Sequence, residues 1–358
     1  MRLLFVGSSR GGGGAEKHMV ALATAMAEAG HSVGAAVDPL SLMASEFVAT
    51  DVRMYPAALR NVLDIRGYAA IVRAMRDLRP DVLVSNFGKE YWPLILLGWL
   101  YGVRVALFRH RVRPMKPLSR RLVPWLADYF FVVSEYARRR AVDEGIPSAR
   151  VRVLYNPMDV RALGKTCPRQ RHKLLNELGL DEHAIVVGYV GRLHEGKGVY
   201  VLLDALREAM AAEPRLHCVW LGSGIDTPRL TASIAADSFA ARHHMLGWVN
   251  DPSPYYHVFS MLAFPSTEPE TFGRSSAEAQ AAGVPVLASE LGGLPETLVP
   301  GVTGLLLPPD DAAAWRDAIL AMCDPGRRAP MAEAARPFVQ RSFSNALIAA
   351  EFAHVLRR

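Results

Sequence analysis

The residues with the most chemical potential lie in the second half of the chain. Glu270 and Glu278 belong to the segment 265–279, Pro-Ser-Thr-Glu-Pro-Glu-Thr-Phe-Gly-Arg-Ser-Ser-Ala-Glu-Ala. Glu270 closes a strand-to-helix loop, and Glu278 falls within the helix that follows. Carboxylates so placed can each accept hydrogen bonds from sugar hydroxyls. Phe272 and Gly273 bring backbone amides to the helix start, where oxygens can bind. A glycosidase acid/base pair would instead need the two carboxyl groups to face each other across a bond, which a loop plus a helix does not ensure. The bland alternative is a surface helix with a dipole-stabilised glutamate, and Glu268 fits that description.

Upstream, Gly191-Arg192-Leu193-His194-Glu195-Gly196-Lys197-Gly198 follows an apolar run and precedes a helix. Strand, Gly/Arg/Lys loop and helix suit a diphosphate: Arg192 can clamp oxygens bidentately and Lys197 acts as a point charge. The segment nearly matches a P-loop, but Gly198 stands where a Ser or Thr would hold magnesium, so nucleoside triphosphate hydrolysis is disfavoured. A solvated basic loop is the structural alternative. Near the start, Gly11 to Gly14 are consecutive glycines opening onto Ala15-Glu16-Lys17. Backbone without Cβ can approach a ligand closely, and the helix N-terminus beyond favours anions. Lys17 occupies the third glycine position of a dinucleotide fingerprint, which weakens a dehydrogenase reading. A tight turn without a ligand stays open.

These loops need a repeated strand–loop–helix frame, and the chain supplies it. Compact apolar runs at 2–6, 31–37, 81–85, 104–108, 129–134 and 151–155 read as buried strands, and 16–30 reads as a helix. After a polar, basic stretch at 167–179 the pattern restarts. Strands are expected at 185–190, 216–221, 245–248, 261–265 and 284–289, and helices at 199–212 and 312–322. Short non-alternating strands between helices imply parallel sheets covered on both faces. Two such doubly wound α/β units would set a cleft at the carboxyl ends of their strands. The length of 358 residues and a 51% hydrophobic content agree with two packed domains and argue against disorder. Cys167, Cys218 and Cys323 are odd in number and far apart, which argues against a disulfide framework or zinc site and for a reducing compartment. Residues 1–7 read as a strand and not a signal peptide. The longest apolar stretch, 92–102, is too short to span a bilayer. A cytoplasmic protein is expected, soluble or peripheral on the inner face of the plasma membrane.

Taken in order, these segments resemble the retaining glycosyltransferases of the GT-B fold, in the group called glycosyltransferase family 4. The resemblance covers nearly the whole chain. It rests on Gly13-Gly14-Ala15-Glu16, on Gly191-Arg192-Leu193 through Lys197-Gly198, and on Glu270 to Glu278 followed by Ala281-Ala282-Gly283-Val284-Pro285-Val286. Gly292-Gly293 and Gly301-Val302-Thr303-Gly304 complete it; at 156–159 Pro157 replaces the family's glycine. The resemblance implies an N-terminal acceptor-side domain at 1–165, a nucleotide-sugar-binding domain at 166–340, and a C-terminal helix at 341–358 packing back on the first. It implies that Arg192 and Lys197 bind the donor diphosphate and that Glu278 binds the ribose. Glu270, with the amides near Phe272 and Gly273, would hold the sugar. Gly13 and Gly14 would approach the diphosphate and sugar. Gly222, Leu246 and Trp248 would lie against the base. The donor would be a UDP- or GDP-linked sugar acting as substrate, with no cofactor and no metal. Attack from the front face would retain the anomeric configuration without a protein nucleophile. His110 would line the acceptor side, although Arg109 and Arg111 flank it where an acidic or amide residue often follows.

The stretch 104–121 carries Arg104, Arg109, Arg111, Arg113, Lys116, Arg120 and Arg121, followed by Arg138, Arg139 and Arg140. Trp92, Trp99, Tyr101, Trp125 and Tyr129 are interleaved. Together with a formal net charge of +6, this face is expected to meet an anionic lipid surface or a phosphorylated lipid-linked acceptor, the acceptor overall being a glycan or lipid-linked. A solvated basic face with buried aromatics is the alternative. No nucleic-acid module is present. Bacterial envelope, lipopolysaccharide or exopolysaccharide assembly is the setting the family implies. A GT-B sugar-nucleotide epimerase and a catalytically inactive sugar-nucleotide-binding module remain as other readings.

Overall fold

The computed structural model describes residues 1–57, 59–61, 63–164 and 168–357. Cys167, and the expected domain boundary at 165–166, lie outside the described residues. Contacts divide the chain into two compact units, Met1–Pro157 with Phe343–Arg358, and Met158–Ser342.

The N-terminal unit is built on β1 (Arg2–Gly7), β2 (Ser32–Val37), β3 (Arg53–Pro56), β4 (Val82–Ser85), β5 (Arg104–Arg109), β6 (Tyr129–Val132) and β7 (Arg152–Val153). All pair in parallel, in the order β3-β2-β1-β4-β5-β6-β7. Every residue of β4 and β6 is buried, because helices cover both faces; this is why the sequence shows continuous apolar runs and no alternation. The strand order reverses at β1/β4, so the loops after those two strands diverge to opposite faces and leave a crevice between them.

One face of this sheet is closed by the chain's final helix, Asn345–Arg357, which packs against the helix Gly14–Glu28. Phe352 is fully buried, 5.6 Å from the Phe108 ring and 5.4 Å from Phe131. The last turn's Leu356 carbonyl accepts from Tyr129 at 3.2 Å and also from Arg104. A guanidinium at a helix C-terminus is favourable, since the helix dipole is negative there. Arg104 and Arg109 therefore do not belong to an open basic face. Arg109 is buried against Glu144 at 2.7 Å, and it also donates to the Arg113 carbonyl, fixing the loop after β5.

The C-terminal unit repeats the plan with β8 (Ile185–Val190), β9 (Leu216–Leu221), β10 (His243–Gly247), β11 (Met261–Phe264), β12 (Val286–Ser289) and β13 (Gly304–Leu307). The order is β10-β9-β8-β11-β12-β13, again all parallel, with the reversal between β8 and β11. Trp220 and Trp315 fill its core; the Trp315 indole donates to the Pro308 carbonyl at 3.0 Å. Both units are Rossmann-like, doubly wound α/β structures. Cys218 and Cys323 are buried and unbridged.

Replacing Phe352 with Ala should empty an aromatic site that the neighbouring rings cannot refill. The expected loss is about 3–5 kcal/mol of unfolding free energy, read from urea titration of the purified chain.

Candidate functional site

In the C-terminal unit the two loops at the strand reversal are bonded to one another. After β8 the chain runs through Gly191, Arg192 and buried Leu193 into the 3-10 turn Glu195–Lys197, then into the helix Val199–Ala212. The Gly196 carbonyl accepts the amides of Thr267 at 3.1 Å and Glu268 at 3.0 Å, from the loop after β11. Gly198 stands at φ +68°, and a Cβ there would lie 1.8 Å from the Pro265 carbonyl oxygen, so only glycine fits. This close approach sets Lys197 beside Glu270, and their side chains form an ion pair. Buried Ser266 donates to the same Glu270 oxygen at 2.8 Å.

The backbone of Glu270 is held from a third side. The Gly293 amide donates to its carbonyl at 2.8 Å, and a Cβ on Gly292 would fall 2.6 Å from its nitrogen. Gly273 follows at φ +95° and starts the helix Arg274–Ala281. The Phe272 ring is buried in the core, so a ligand contact at this residue can come only from its main chain. One helical turn on, Glu278 is gripped by two donors: Arg274 at 2.7 Å on one oxygen and the buried Tyr256 hydroxyl at 2.9 Å on the other. Burial holds that hydroxyl far above the usual tyrosine range, so it remains a donor.

Arg192 is exposed, and among the described residues it has no ion-pair partner. Its carbonyl accepts from the Tyr189 hydroxyl at 2.7 Å, which fixes the main chain beneath the guanidinium. Gly222 ties the neighbouring strand ends: its amide donates to the Gly247 carbonyl at 2.7 Å, and a Cβ would lie 1.8 Å from the Gly191 oxygen. Leu246 is half-buried on edge strand β10. Trp248 is exposed just beyond it, its indole donating to Asn250 at 3.0 Å. The structure thus places Arg192, Lys197, Glu270, Phe272 and Gly273 on the two loops at the reversal, and Glu278 in the helix that follows the second loop. Gly222 lies one strand away, and Leu246 and Trp248 two.

Gly13, Gly14 and His110 lie in the N-terminal unit. Gly13 caps the helix Gly14–Glu28, and nothing stands within 4 Å of where a Gly14 Cβ would be. The Glu16 carboxylate folds back beneath the glycines and accepts from Ser9. His110 packs edge-on to the buried His18 ring at 4.6 Å. Asn86 donates to His18 at 2.9 Å and to the Ala15 carbonyl at 2.8 Å. His18 and Asn86 were not singled out in the sequence. Nor were Arg274 and Tyr256, although Arg274 stands four residues before Glu278, the spacing of helical ion pairs.

Glu90, also unmarked in the sequence, is fully buried at the β1/β4 crevice. One carboxyl oxygen accepts the Ser8 amide at 3.0 Å, and the other is buried without a hydrogen-bond partner among the described residues. Burial pushes its pKa up to about 7.

Residues 12–162 match the family model described as Glycosyltransferase Family 4, and residues 184–324 match Glycosyl transferases group 1. The chain belongs to the group 1, family 4 glycosyltransferases of the GT-B fold. Among its relatives, a D-inositol 3-phosphate glycosyltransferase of Corynebacterium urealyticum is 32% identical over 56% of this chain and 50% of its own length. The alpha-maltose-1-phosphate synthase of Mycolicibacterium smegmatis is 28% identical over 74% of this chain and 75% of its own. The chain spans about half the length of the inositol phosphate glycosyltransferases it matches. Anabaena HepE, solved with UDP and glucose, has the same fold at a TM-score of 0.86 with 22% identity, covering 100% and 99% of the two chains. A Rickettsia africae glycosyltransferase gives 0.87 with 19% identity, covering 99% and 97%.

The Glu90 carboxyl is favoured neutral in the folded state, so its contribution to stability is fully present below pH 4.5 and is lost as pH rises through 7. Relative to Glu90→Gln, the wild type should lose about 3 kcal/mol between pH 4.5 and 7.5, measured by urea unfolding at both pH values. Parallel curves for the two proteins would contradict the assignment.

Proposed function

We propose that the chain transfers a glycosyl group from a nucleoside-diphosphate sugar to an acceptor hydroxyl, with retention of anomeric configuration and without a metal ion. The observation that carries this reading is the joined pair of loops after β8 and β11. There Arg192, without an ion-pair partner among the described residues, stands with the Lys197–Glu270 pair and with Glu278. Arg192 takes diphosphate oxygens bidentately and Lys197 supplies a point charge. The two cations stabilise the negative charge that grows on the departing nucleoside diphosphate, as oxyanion-binding donors do.

Lys197 is already engaged by Glu270, so donor binding is an exchange. Phosphate oxygens draw the ammonium away, and the released Glu270 carboxylate accepts hydrogen bonds from the donor sugar. Ser266 keeps that carboxylate oriented meanwhile. Glu278, fixed by Arg274 and Tyr256, accepts from the ribose. Phe272 and Gly273 contribute main-chain amides, and Gly222, Leu246 and Trp248 flank the base. The acceptor hydroxyl attacks from the face the diphosphate leaves, and a phosphate oxygen takes its proton. Gly13, Gly14 and His110 belong to the N-terminal unit's share of substrate contacts. HepE was solved with UDP and with UDP-glucose, which favours UDP over GDP as the donor nucleotide.

The setting we infer is envelope, lipopolysaccharide or exopolysaccharide assembly, with the protein resting on the cytoplasmic face of the membrane. Among the described residues no helix is long and apolar enough to cross a bilayer. The helices Tyr91–Tyr101 and Pro117–Leu126 nevertheless expose Trp99 at 80%, Leu118 at 64% and Trp125 at 54%, with Lys116 and Arg121 alongside. Such a mixed apolar and basic face fits an anionic interface.

With UDP-glucose and a panel of sugar acceptors in EDTA, Arg192→Ala should lower kcat/KM by about 10²–10³-fold, and proton NMR of the product should show the donor's anomeric configuration. Inversion, or activity that returns only with magnesium, would refute the mechanism. For the membrane face, Trp99→Ser with Trp125→Ser should abolish co-sedimentation with phosphatidylglycerol vesicles. Unchanged binding would remove that part of the reading.

A further inference from the structure

Two buried polar side chains of the N-terminal unit join three of its loops. Asn86 stands directly after β4, His18 lies on the helix Gly14–Glu28 that follows the glycine loop, and His110 stands directly after β5. Asn86 is buried and His18 fully so.

The Asn86 amide nitrogen lies 2.8 Å from the Ala15 carbonyl oxygen and 2.9 Å from His18 Nδ1. A main-chain carbonyl only accepts, so the atom facing it is the amide nitrogen and not the amide oxygen. Its second proton then points at His18 Nδ1, which accepts through its lone pair. The proton of the neutral ring is therefore on Nε2, since an imidazolium would set one N–H against another. The Asn86 oxygen is buried with no hydrogen-bond partner among the described residues. That unmet acceptor costs stability, which an orienting role accounts for and core packing does not.

The held ring is a floor for His110. The two histidine rings meet edge to face with centroids 4.6 Å apart, and His18 also packs on Phe108 at 4.8 Å. Phe108 in turn lies 6.2 Å from His110 and 21° from parallel with it. His110 is half-buried, so these neighbours set its ring while part of it stays open. One amide thus orients His110 and, through Ala15, ties it to the first turn of the helix that the glycine loop opens.

We propose that Asn86 and His18 are positioning residues for glycosyl transfer: Asn86 holds His18 as the neutral Nε2–H tautomer, and the His18 ring sets the orientation in which His110 meets substrate. The proposal rests on the glycosyl-transfer reading, in which His110 contacts substrate. Neither residue touches the reacting atoms, and no bond-making step is added.

The test uses the full chain carrying nitrogen-15 histidine. At pH 7.5 without substrate, long-range proton–nitrogen NMR should show the His18 ring, assigned by its loss in His18→Phe, protonated on Nε2 and not on Nδ1. In Asn86→Asp, whose carboxylate accepts where the amide donated, the proton should move to Nδ1 or the ring should charge. UDP release from UDP-glucose, with the best sugar of the acceptor panel, should fall about tenfold in kcat for Asn86→Asp and for His18→Phe, the cost of misplacing a group that meets substrate. UDP affinity by calorimetry should stay within about twofold, because the nucleotide is held on loops of the C-terminal unit. In a His110→Ala background the same substitutions should change kcat by less than about twofold, since an effect exerted through His110 vanishes with it. Asn86→Leu, similar in volume and uncharged, carries the same kinetic expectation if Asn86→Asp does not fold. A wild-type His18 protonated on Nδ1, or on both nitrogens, overturns the proposal. So does kcat unchanged by the Asn86 and His18 substitutions, an equal loss with and without His110, or a loss of UDP affinity that matches the loss of kcat. A wild type that releases no UDP with any acceptor would instead strike the glycosyl-transfer reading, while the tautomer, read without substrate, still decides the role given to Asn86.

Discussion

The two-way hydrogen bond at the Gly196 carbonyl, accepting the Thr267 and Glu268 amides, is the constraint on which the C-terminal site depends. It joins the loops after β8 and β11 across the point where strand order reverses, the place where loops would otherwise diverge. With that bond made, Lys197 and Glu270 face each other and pair. Neither charge is then fully buried or fully solvated.

Close backbone approach is the second element of the design. Gly198, Gly222, Gly273 and Gly292 all have positive φ, and a Cβ at any of them would collide with a neighbouring atom, backbone at three of them and the Leu294 side chain at Gly273. Glu270 is held from both sides by such contacts, through Gly293 on one and the Pro265–Glu268 segment on the other. A carboxylate on a surface loop would sample many rotamers. Here the main chain under it is fixed, so little ordering remains to be done when a ligand arrives. The N-terminal unit is organised differently. Its polar groups, Asp38, Lys89 and Glu90, gather at one crevice, and its glycines stand at an open helix start.

The parallel α/β frame was legible because strands buried on both faces leave continuous apolar runs, as at β4 and β6. Two of the four edge strands leave no such mark. β3, Arg-Met-Tyr-Pro, is largely exposed, and β13 is a short run inside a glycine-rich motif; both were passed over. Of the site, loops carrying chemistry in contiguous residues could be read: Arg192 with Lys197, and Glu270 with Glu278. Partners distant in sequence could not. Tyr256 reaches Glu278 from another element, and Ser8 meets Glu90 across two strands. Nothing local to a Tyr or a Glu announces such a contact. The basic run at 104–121 misled in part, since composition does not separate Arg109, buried on Glu144, from exposed Arg111 and Arg113.

Metal-free binding of a nucleoside diphosphate by the Arg192 and Lys197 loop is the central requirement of glycosyl transfer by this chain. Calorimetric titration of UDP and GDP into the purified chain, with EDTA present, addresses this directly. One of the two should bind, and Arg192→Ala or Lys197→Ala should each raise Kd by at least about tenfold, as expected for loss of a charge-assisted hydrogen bond. Binding that requires magnesium, that is indifferent to both substitutions, or that is absent for both nucleotides would contradict it.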